Sequence, residues 1–202
     1  MPTKGRKRWA QEACVMFFNQ TYPRKELVIV DDASDPSFNI FSPPLGTVFS
    51  VERHMKIGEK RNLAVSRASG EIIMHWDSDD IYRADRMAYQ AAFLIESGAQ
   101  AVGFNVMEFI DEERKERYEY RAKVQYAIGV SLCYWRDTWE RKKFNPVDSG
   151  EDNDFIAGLD VRSVPADGRI VARIHSGNTA EKRKLIPQNT AQWRRLTPPP
   201  GV

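Results

Sequence analysis

The sequence predicts an α/β fold: a mostly parallel, doubly wound sheet with flanking helices and a small antiparallel hairpin. Three observations lead there. Two short apolar runs, Glu26–Val30 and Glu71–Trp76, end abruptly in acids, Asp31-Asp32 and Asp77-Ser78-Asp79-Asp80. Runs with so little alternation read as strands covered on both faces. Segments of helical period lie between and after them, and a strand–helix–strand order implies parallel pairing through crossover helices. In such sheets ligands bind at the carboxyl ends of the strands, which is where the acids fall.

Taken in order, Met1 to Arg6 is turn-like. From Lys7 to Gln20, Trp9, Ala10, Ala13, Cys14, Met16 and Phe17 recur near helical spacing, and Thr21-Tyr22-Pro23 stops that helix. After the strand Glu26–Val30, residues Asp35 to Gly46 form a Pro-containing loop and Thr47–Val51 a short strand. Gly58–Ala68 reads as a helix with Lys60, Arg61 and Asn62 on its first turns, followed by the strand Glu71–Trp76. Ala84–Ser97 is the next helix, closed by Gly98. Ala101–Ile110, a charged turn from Asp111 to Glu116, and Arg117–Val124 make a hairpin. Ser131–Trp135 and Ile170–Ile174 read as strands and Glu151–Leu159 as a helix. Beyond Ala180 the chain turns basic and ends in a Pro-rich stretch, read as an uncompacted tail. The expected organisation is one domain over 1–180, with a nucleotide-binding half (1–98) and an acceptor half (99–180), then a basic tail over 181–202.

With 202 residues, 42% hydrophobic and 29% charged, the chain can bury a full core. Its net charge of +2 does not single out nucleic acid as a partner. Basic residues gather as Lys4, Arg6, Lys7 and Arg8, as Lys182, Arg183 and Lys184, and as Arg194 and Arg195, and are read as solvated surface rather than a nucleic-acid or membrane patch. The two cysteines, Cys14 and Cys133, sit in apolar surroundings without disulfide or zinc spacing, which suits a reducing, cytoplasmic setting. No apolar run is long enough to span a bilayer, so membrane contact is expected to be at most peripheral, at the inner face.

The acids carry the chemistry. Three carboxylates within four residues raise one another's pKa unless a cation sits among them. The first reading is therefore a divalent metal held by Asp77 and Asp79, awaiting a phosphate-bearing substrate. The same residues also fit a solvated turn capping the next helix through Asp80 or Asp85. A second Asp-x-Asp, Asp152-Asn153-Asp154, shows that the spacing alone says little.

Several segments together resemble the family 2 glycosyltransferases of the GT-A fold. They are Pro2-Thr3, Asn19-Gln20-Thr21-Tyr22-Pro23 followed by Val28-Ile29-Val30-Asp31-Asp32-Ala33-Ser34, Gly58-Glu59-Lys60-Arg61-Asn62-Leu63-Ala64, Asp77-Ser78-Asp79-Asp80, and Gly150-Glu151-Asp152-Asn153-Asp154-Phe155. The resemblance runs from the first residue to about His175. It implies an inverting transferase, of hexosyl or N-acetylhexosaminyl type, that moves a sugar from a nucleotide diphosphate donor, UDP by resemblance, to an acceptor hydroxyl on a saccharide or other molecule. By the same resemblance Mn²⁺ or Mg²⁺ is the cofactor. Asp79 is its direct ligand, and Asp77 lies nearer the ribose and the metal's water shell. Ser78 joins the donor set, and Asp80 caps the following helix. Asp152 is the base, with Glu151 orienting it or touching the acceptor. Asp32, or Asp31, meets the nucleobase, Pro2 and Thr3 flank it, and Arg61 reaches the base or a phosphate. His175 is placed as a further metal ligand, while His54 and His75 are read as structural. Trp135, Trp139 and Trp193 are read as core residues rather than sugar platforms.

The pattern breaks at the start, where Met1 stands in place of the family's full first strand. A missing central strand would leave its neighbours with unpaired backbone groups and a groove in the core, so a truncated start is expected. Extending the chain upstream should then raise the melting temperature. Two other readings fit parts of the sequence. A nucleotidyltransferase shares the sheet and the metal acids but needs a Gly-rich phosphate loop, for which Met1 to Arg8 offers only Gly5. An impaired paralogue would keep the sugar-nucleotide pocket without turnover.

Overall fold

The structure is a computed structural model that describes residues 1–32, 46–51, 53–178, 182–186 and 191–197. The loop expected from Asp35 to Gly46 lies almost wholly outside the described residues. Strands Pro2–Thr3 (β1), Leu27–Asp31 (β2) and Gly46–Ser50 (β3) form a small parallel sheet in the order β1-β2-β3. Helix Lys7–Phe18 (α1) makes the crossover from β1 to β2, and helix Ile57–Arg67 (α2) packs on both strands. All five residues of β2 are buried, as a strand covered on both faces requires.

The larger sheet contains Ile72–Met74 (β4), Ile81–Tyr82 (β5), Ala101–Asp111 (β6), Glu116–Arg121 (β7), Cys133–Trp135 (β8), Val161–Pro165 (β9), Ile170–Ile174 (β10) and Trp193–Leu196 (β11). The long β6 is its spine. One half of β6 pairs with β8 and β9, the other with β7 and β10. Parallel pairing holds at β6–β9 and β6–β10, while β5–β10, β7–β11, β4–β8, β6–β7 and β6–β8 are antiparallel. The architecture is the expected α/β one, but the large sheet is mixed rather than mostly parallel. Between the two sheets, β2 and β4 flank a cavity of about 320 Å³ lined by Met1, Leu27, Val28 and Ile72 to Met74, among others. The Met1 amino group reaches the Val28 carbonyl at 2.5 Å.

Helix Arg86–Ser97 (α3) ends at Gly98, which takes the left-handed conformation expected of a closing glycine. The tail expectation needs correcting. Trp193–Leu196 pairs with β7, and Arg194 and Arg195 meet Glu119 and Glu116 across the strands. Arg183, in the short helix Lys182–Leu185 (α6), holds the buried Asp111 with two contacts of 2.6 and 2.7 Å. Opposite-charge cross-strand pairs of this kind turn a basic stretch into an edge strand.

Two cores position the site. In one, Ala10, Ala13, Cys14 and Phe17 of α1 pack with Ile29, Trp76, Phe104 and Ile170. The Trp76 indole donates to the Ala13 carbonyl at 3.2 Å and stacks on Tyr82 with centroids 3.9 Å apart, fixing the end of β4 against α1. In the other, Tyr134, Phe144 and Phe155 stack, Phe144 on Phe155 at 4.2 Å. Phe155 belongs to helix Glu151–Ile156 (α5), shorter than expected, so this aromatic stack anchors the element that carries Glu151 and Asp152. Buried rings of this size each contribute about 1.5–3 kcal/mol. Helix Arg136–Arg141 (α4), β5 and β9 were not anticipated from the sequence.

Candidate active site

The acidic loop after β4 is tied down on both sides. The Asp77 N–H donates to the Tyr82 hydroxyl at 2.7 Å, and that hydroxyl sits 3.0 Å from the Asp77 carbonyl. Asp80 is buried and accepts the Arg173 backbone N–H from β10 at 3.0 Å, while the Arg173 guanidinium donates to the Asp79 carbonyl at 3.2 Å. Asp80 therefore does not cap α3. The residue at that helix's N-cap is Asp85, whose carboxylate pairs with Arg83 and Arg169 instead.

Held this way, the Asp79 carboxylate meets three donors at one oxygen, Oδ2. Arg6 Nη1 lies at 2.7 Å, His175 Nε2 at 2.9 Å and Asn178 Nδ2 at 3.3 Å. The His175 ring is set by Trp9, whose centroid is 4.0 Å away, and its backbone N–H donates to Asn178 Oδ1 at 2.8 Å. Ser78 is buried, and its hydroxyl has no hydrogen-bond partner among the described residues. These side chains fit a divalent cation. Among the described residues no three His, Cys, Asp or Glu side chains form a cage, but Asp79 and His175 supply an oxygen–nitrogen pair. Mg²⁺ and Mn²⁺ are commonly held by one or two side chains and completed by substrate phosphates and water.

Across the cleft, Gly150 precedes α5 and Glu151 and Asp152 open it. Their side chains meet different partners. Glu151 is buried and accepts Arg61 Nε at 3.2 Å, and Arg61 Nη1 lies 3.5 Å from Asp77. Burial, with Asp152 adding repulsion, pushes the Glu151 carboxyl above its ordinary pKa despite the guanidinium. Glu151 thus holds Arg61, and no hydrogen bond joins it to the Asp152 side chain. Asp152 Oδ1 accepts the Asn153 N–H at 2.9 Å, and its Oδ2 lies against Gly129 so closely that a Cβ there would be 1.8 Å away. Asp77, Asp79, Arg61, Glu151 and Asp152 all line one cavity of about 340 Å³, with Tyr120, Tyr126 and Trp193 on another wall. The acids expected to hold a metal and the expected base, far apart in sequence, share a cleft.

A second cleft of about 700 Å³ adjoins this one, lined by Pro2, Thr3, Lys4, Arg6, His54 and Lys60, among others. The buried Asp32 stands behind it. Its carboxylate accepts the Met55 N–H at 2.9 Å, meets His54 Nδ1 at 2.9 Å and pairs with Lys60, whose ammonium also reaches the Thr3 carbonyl at 3.1 Å. Burial alone would raise the Asp32 pKa, but these donors hold it below the ordinary value. Asp31 is buried as well. Asp32, expected to meet a nucleobase, thus carries three protein donors, and Lys60 and His54 face the cleft. Arg61 stands in the acid cleft, not this one. Trp139 is buried and Trp135 donates to the Ala99 carbonyl at 3.1 Å, as core residues do, whereas Trp193 lines the acid cleft.

The family model described as Glycosyl transferase family 2 matches residues 1–158, over three quarters of the chain. The chain belongs to glycosyl transferase family 2. Among curated relatives, an uncharacterized glycosyltransferase of Rickettsia conorii is 29% identical over an alignment of 105 residues that covers 48% of this chain and 17% of that protein. An uncharacterized glycosyltransferase of Haemophilus influenzae is 24% identical over 107 residues, 48% of this chain and 41% of the relative. The chain thus spans less than half the length of these relatives. Among solved structures, S. aureus TarS 1–349 with UDP-GlcNAc superposes with a TM-score of 0.72 at 18% identity, covering 88% of this chain and 58% of TarS 1–349. The mannosyltransferase PcManGT of Pyrobaculum calidifontis, solved with GDP-Man and Mn²⁺, gives 0.68 at 20% identity over 95% of this chain and 60% of that one. These likenesses establish a GT-A-like fold.

Within this family-2 fold, sequence reasoning missed Arg6, Trp9, His54, Asn178 and Gly129. Arg6 was hidden in a basic run, and Asn178 carries no sequence signal of its own. The close approach of Gly129 to Asp152 has no local signature.

Proposed function

We propose that the chain transfers a sugar from a nucleotide diphosphate donor, UDP-linked by preference, to an acceptor hydroxyl with inversion, using Mn²⁺ or Mg²⁺. The observation that carries this reading is the single cleft lined by both Asp79, paired with His175, and Asp152. The nucleotide sugars and Mn²⁺ held by TarS and PcManGT support it. Asp79 and His175 would hold the cation, with Asp77 beside them. When bound, it supplies positive charge against the diphosphate that leaves. Lys60 and His54 face the nucleoside side of the donor, and Arg61, anchored by Glu151, adds charge beside Asp77. Asp152 accepts the proton of the acceptor hydroxyl as it attacks the anomeric carbon. Its carboxylate is pinned by the Asn153 N–H and by contact with Gly129, so it is aimed before the acceptor arrives. A positioned base of this kind is worth about 10²- to 10⁴-fold in rate.

The test is UDP release from a panel of UDP-sugars with Mn²⁺. Asp152→Asn should still bind UDP while turnover falls by about 10²-fold or more. Unchanged turnover in that variant would remove Asp152 from the role of base. Binding of UDP without turnover by the natural chain would leave an impaired paralogue as the reading.

A further inference from the structure

We propose that Arg6 is the resident cation of the acid site: its guanidinium competes with the divalent metal for Asp79, and the donor's diphosphate ends the competition by drawing the guanidinium onto its own oxygens. The proposal rests on the metal-dependent transferase reading above.

Geometry is the first support. Arg6 Nη1 lies 2.7 Å from Asp79 Oδ2, and Nη2 bonds the Gly177 carbonyl, so the planar head is fixed at two points. The same oxygen also takes His175 and Asn178. An oxygen with two lone pairs is then fully engaged, and a metal at its ordinary bonding distance would be a close neighbour of a guanidinium of like sign. Either the cation binds weakly or Arg6 moves. Because the other tether of Arg6 is a single backbone carbonyl on a solvent-facing turn, Arg6 is the partner able to leave. His175, by contrast, is of the residue type that most often binds metals.

Location is the second support. Arg6 and Pro2 are among the few residues that line both clefts, the one bounded by Lys60 and His54 and the one bounded by Asp79 and Asp152. A molecule with its nucleoside in the first and its sugar in the second must pass its diphosphate beside Arg6. A guanidinium offers paired N–H donors that match phosphate oxygens. Released from Asp79, it would therefore find its next partner within reach. Arg6 sits at the N-cap of α1, with its side chain only 21% exposed, which limits where it can go.

The inference makes metal and nucleotide binding move in opposite directions. Calorimetric titration of the whole chain with Mn²⁺ alone, then with UDP at saturating Mn²⁺, tests it in the natural protein, Arg6→Gln and Arg6→Lys. Arg6→Gln should bind Mn²⁺ about ten-fold tighter, because the competent form of Asp79 is no longer rare. It should bind UDP about ten-fold weaker, having lost a charged phosphate partner. Arg6→Lys keeps the charge without the fork, so its Mn²⁺ affinity should stay near that of the natural chain while UDP binding weakens several-fold. Should Arg6→Gln fail to fold, as judged by its melting curve, Arg6→Lys carries the test through UDP. Mn²⁺ bound no tighter by Arg6→Gln, or UDP affinity unchanged in either variant, overturns the role of Arg6 and leaves the transferase reading in place. Absence of both Mn²⁺ and UDP binding in the natural chain overturns the two together.

Discussion

Replacing Gly129 by Ala separates the aim of Asp152 from the stability of the fold. The backbone at Gly129 is one that alanine can adopt, since its φ is not positive. What alanine brings is a methyl 1.8 Å from Asp152 Oδ2. Ordinary contact begins near 3.4 Å, so something must retreat by 1.6 Å (3.4 minus 1.8). Gly129 is the less mobile side. Its carbonyl accepts His75 Nδ1 at 2.6 Å and the Leu132 N–H at 3.2 Å, and Gly129–Ser131 forms a tight 3₁₀ turn. The methyl would also lie 2.6 Å from Asp152 Cγ and 2.9 Å from its Cβ, so the carboxylate, held by one hydrogen bond, swings away and the start of α5 gives by a few tenths of an ångström. A displacement of about 1 Å costs on the order of 10²-fold in rate, or about 2.7 kcal/mol of barrier. UDP release from a UDP-sugar with Mn²⁺ should therefore fall about 10²-fold in Gly129→Ala. UDP affinity should stay within about two-fold and the melting temperature within a few degrees. A rate near that of the natural chain, with the fold intact, would show that the Asp152 carboxylate is not the aimed group.

Other expectations follow from the same structure. Gly58→Ala places a methyl 1.8 Å from the Asn145 carbonyl, where backbone opposes backbone, so it should destabilise by about 1–3 kcal/mol in urea unfolding; an unchanged midpoint would refute the close approach. Glu151→Ala removes one of the two carboxylates paired with the buried Arg61 and leaves it only Asp77 at 3.5 Å, so it should cost about 1–3 kcal/mol, several degrees in melting temperature, and a surface-like loss of under a degree would contradict the pairing. His75 is buried beside Arg61, and burial foremost holds its pKa well below 6.5. The unfolded chain therefore takes up the proton first as pH falls, and stability drops by about 1.4 kcal/mol per pH unit below 6.5 until the folded pKa is reached. His75→Asn should lose that slope between pH 6.5 and 5.5, and an identical slope in both proteins would assign the pH dependence elsewhere.

Much of the fold could be read from residue pattern because burial leaves a mark on sequence. Leu27 to Val30 are apolar since both faces are covered, β4 keeps its apolar residues although Ile72 and Met74 are only half-buried, and the α1 stripe of Ala10, Ala13, Cys14 and Phe17 keeps helical period. Elements held by pairing rather than burial were not legible. Val161–Pro165 is a short, half-exposed run broken by Arg162 and Ser163, and Trp193–Leu196 looks like a basic tail until Glu116 and Glu119 are seen opposite it. For the site, the acid clusters marked the strand ends, but their meeting is a product of topology. No spacing could tell that Asp79 would face Asp152, that Asp32 would stand behind Lys60, or that Arg6 would leave its charged run for Asp79. Asp80 misled because a carboxylate ahead of a helix looks the same whether it caps that helix or clamps a strand.

The most direct measurement is the affinity for UDP with Mn²⁺ and with a chelator, in the natural chain and in Asp79→Asn. The account predicts that Mn²⁺ tightens UDP binding at least about ten-fold, equivalent to about 1.4 kcal/mol, and that Asp79→Asn abolishes the gain while keeping the metal-free affinity. Equal affinity with metal and chelator, or a full metal effect surviving in Asp79→Asn, would contradict it.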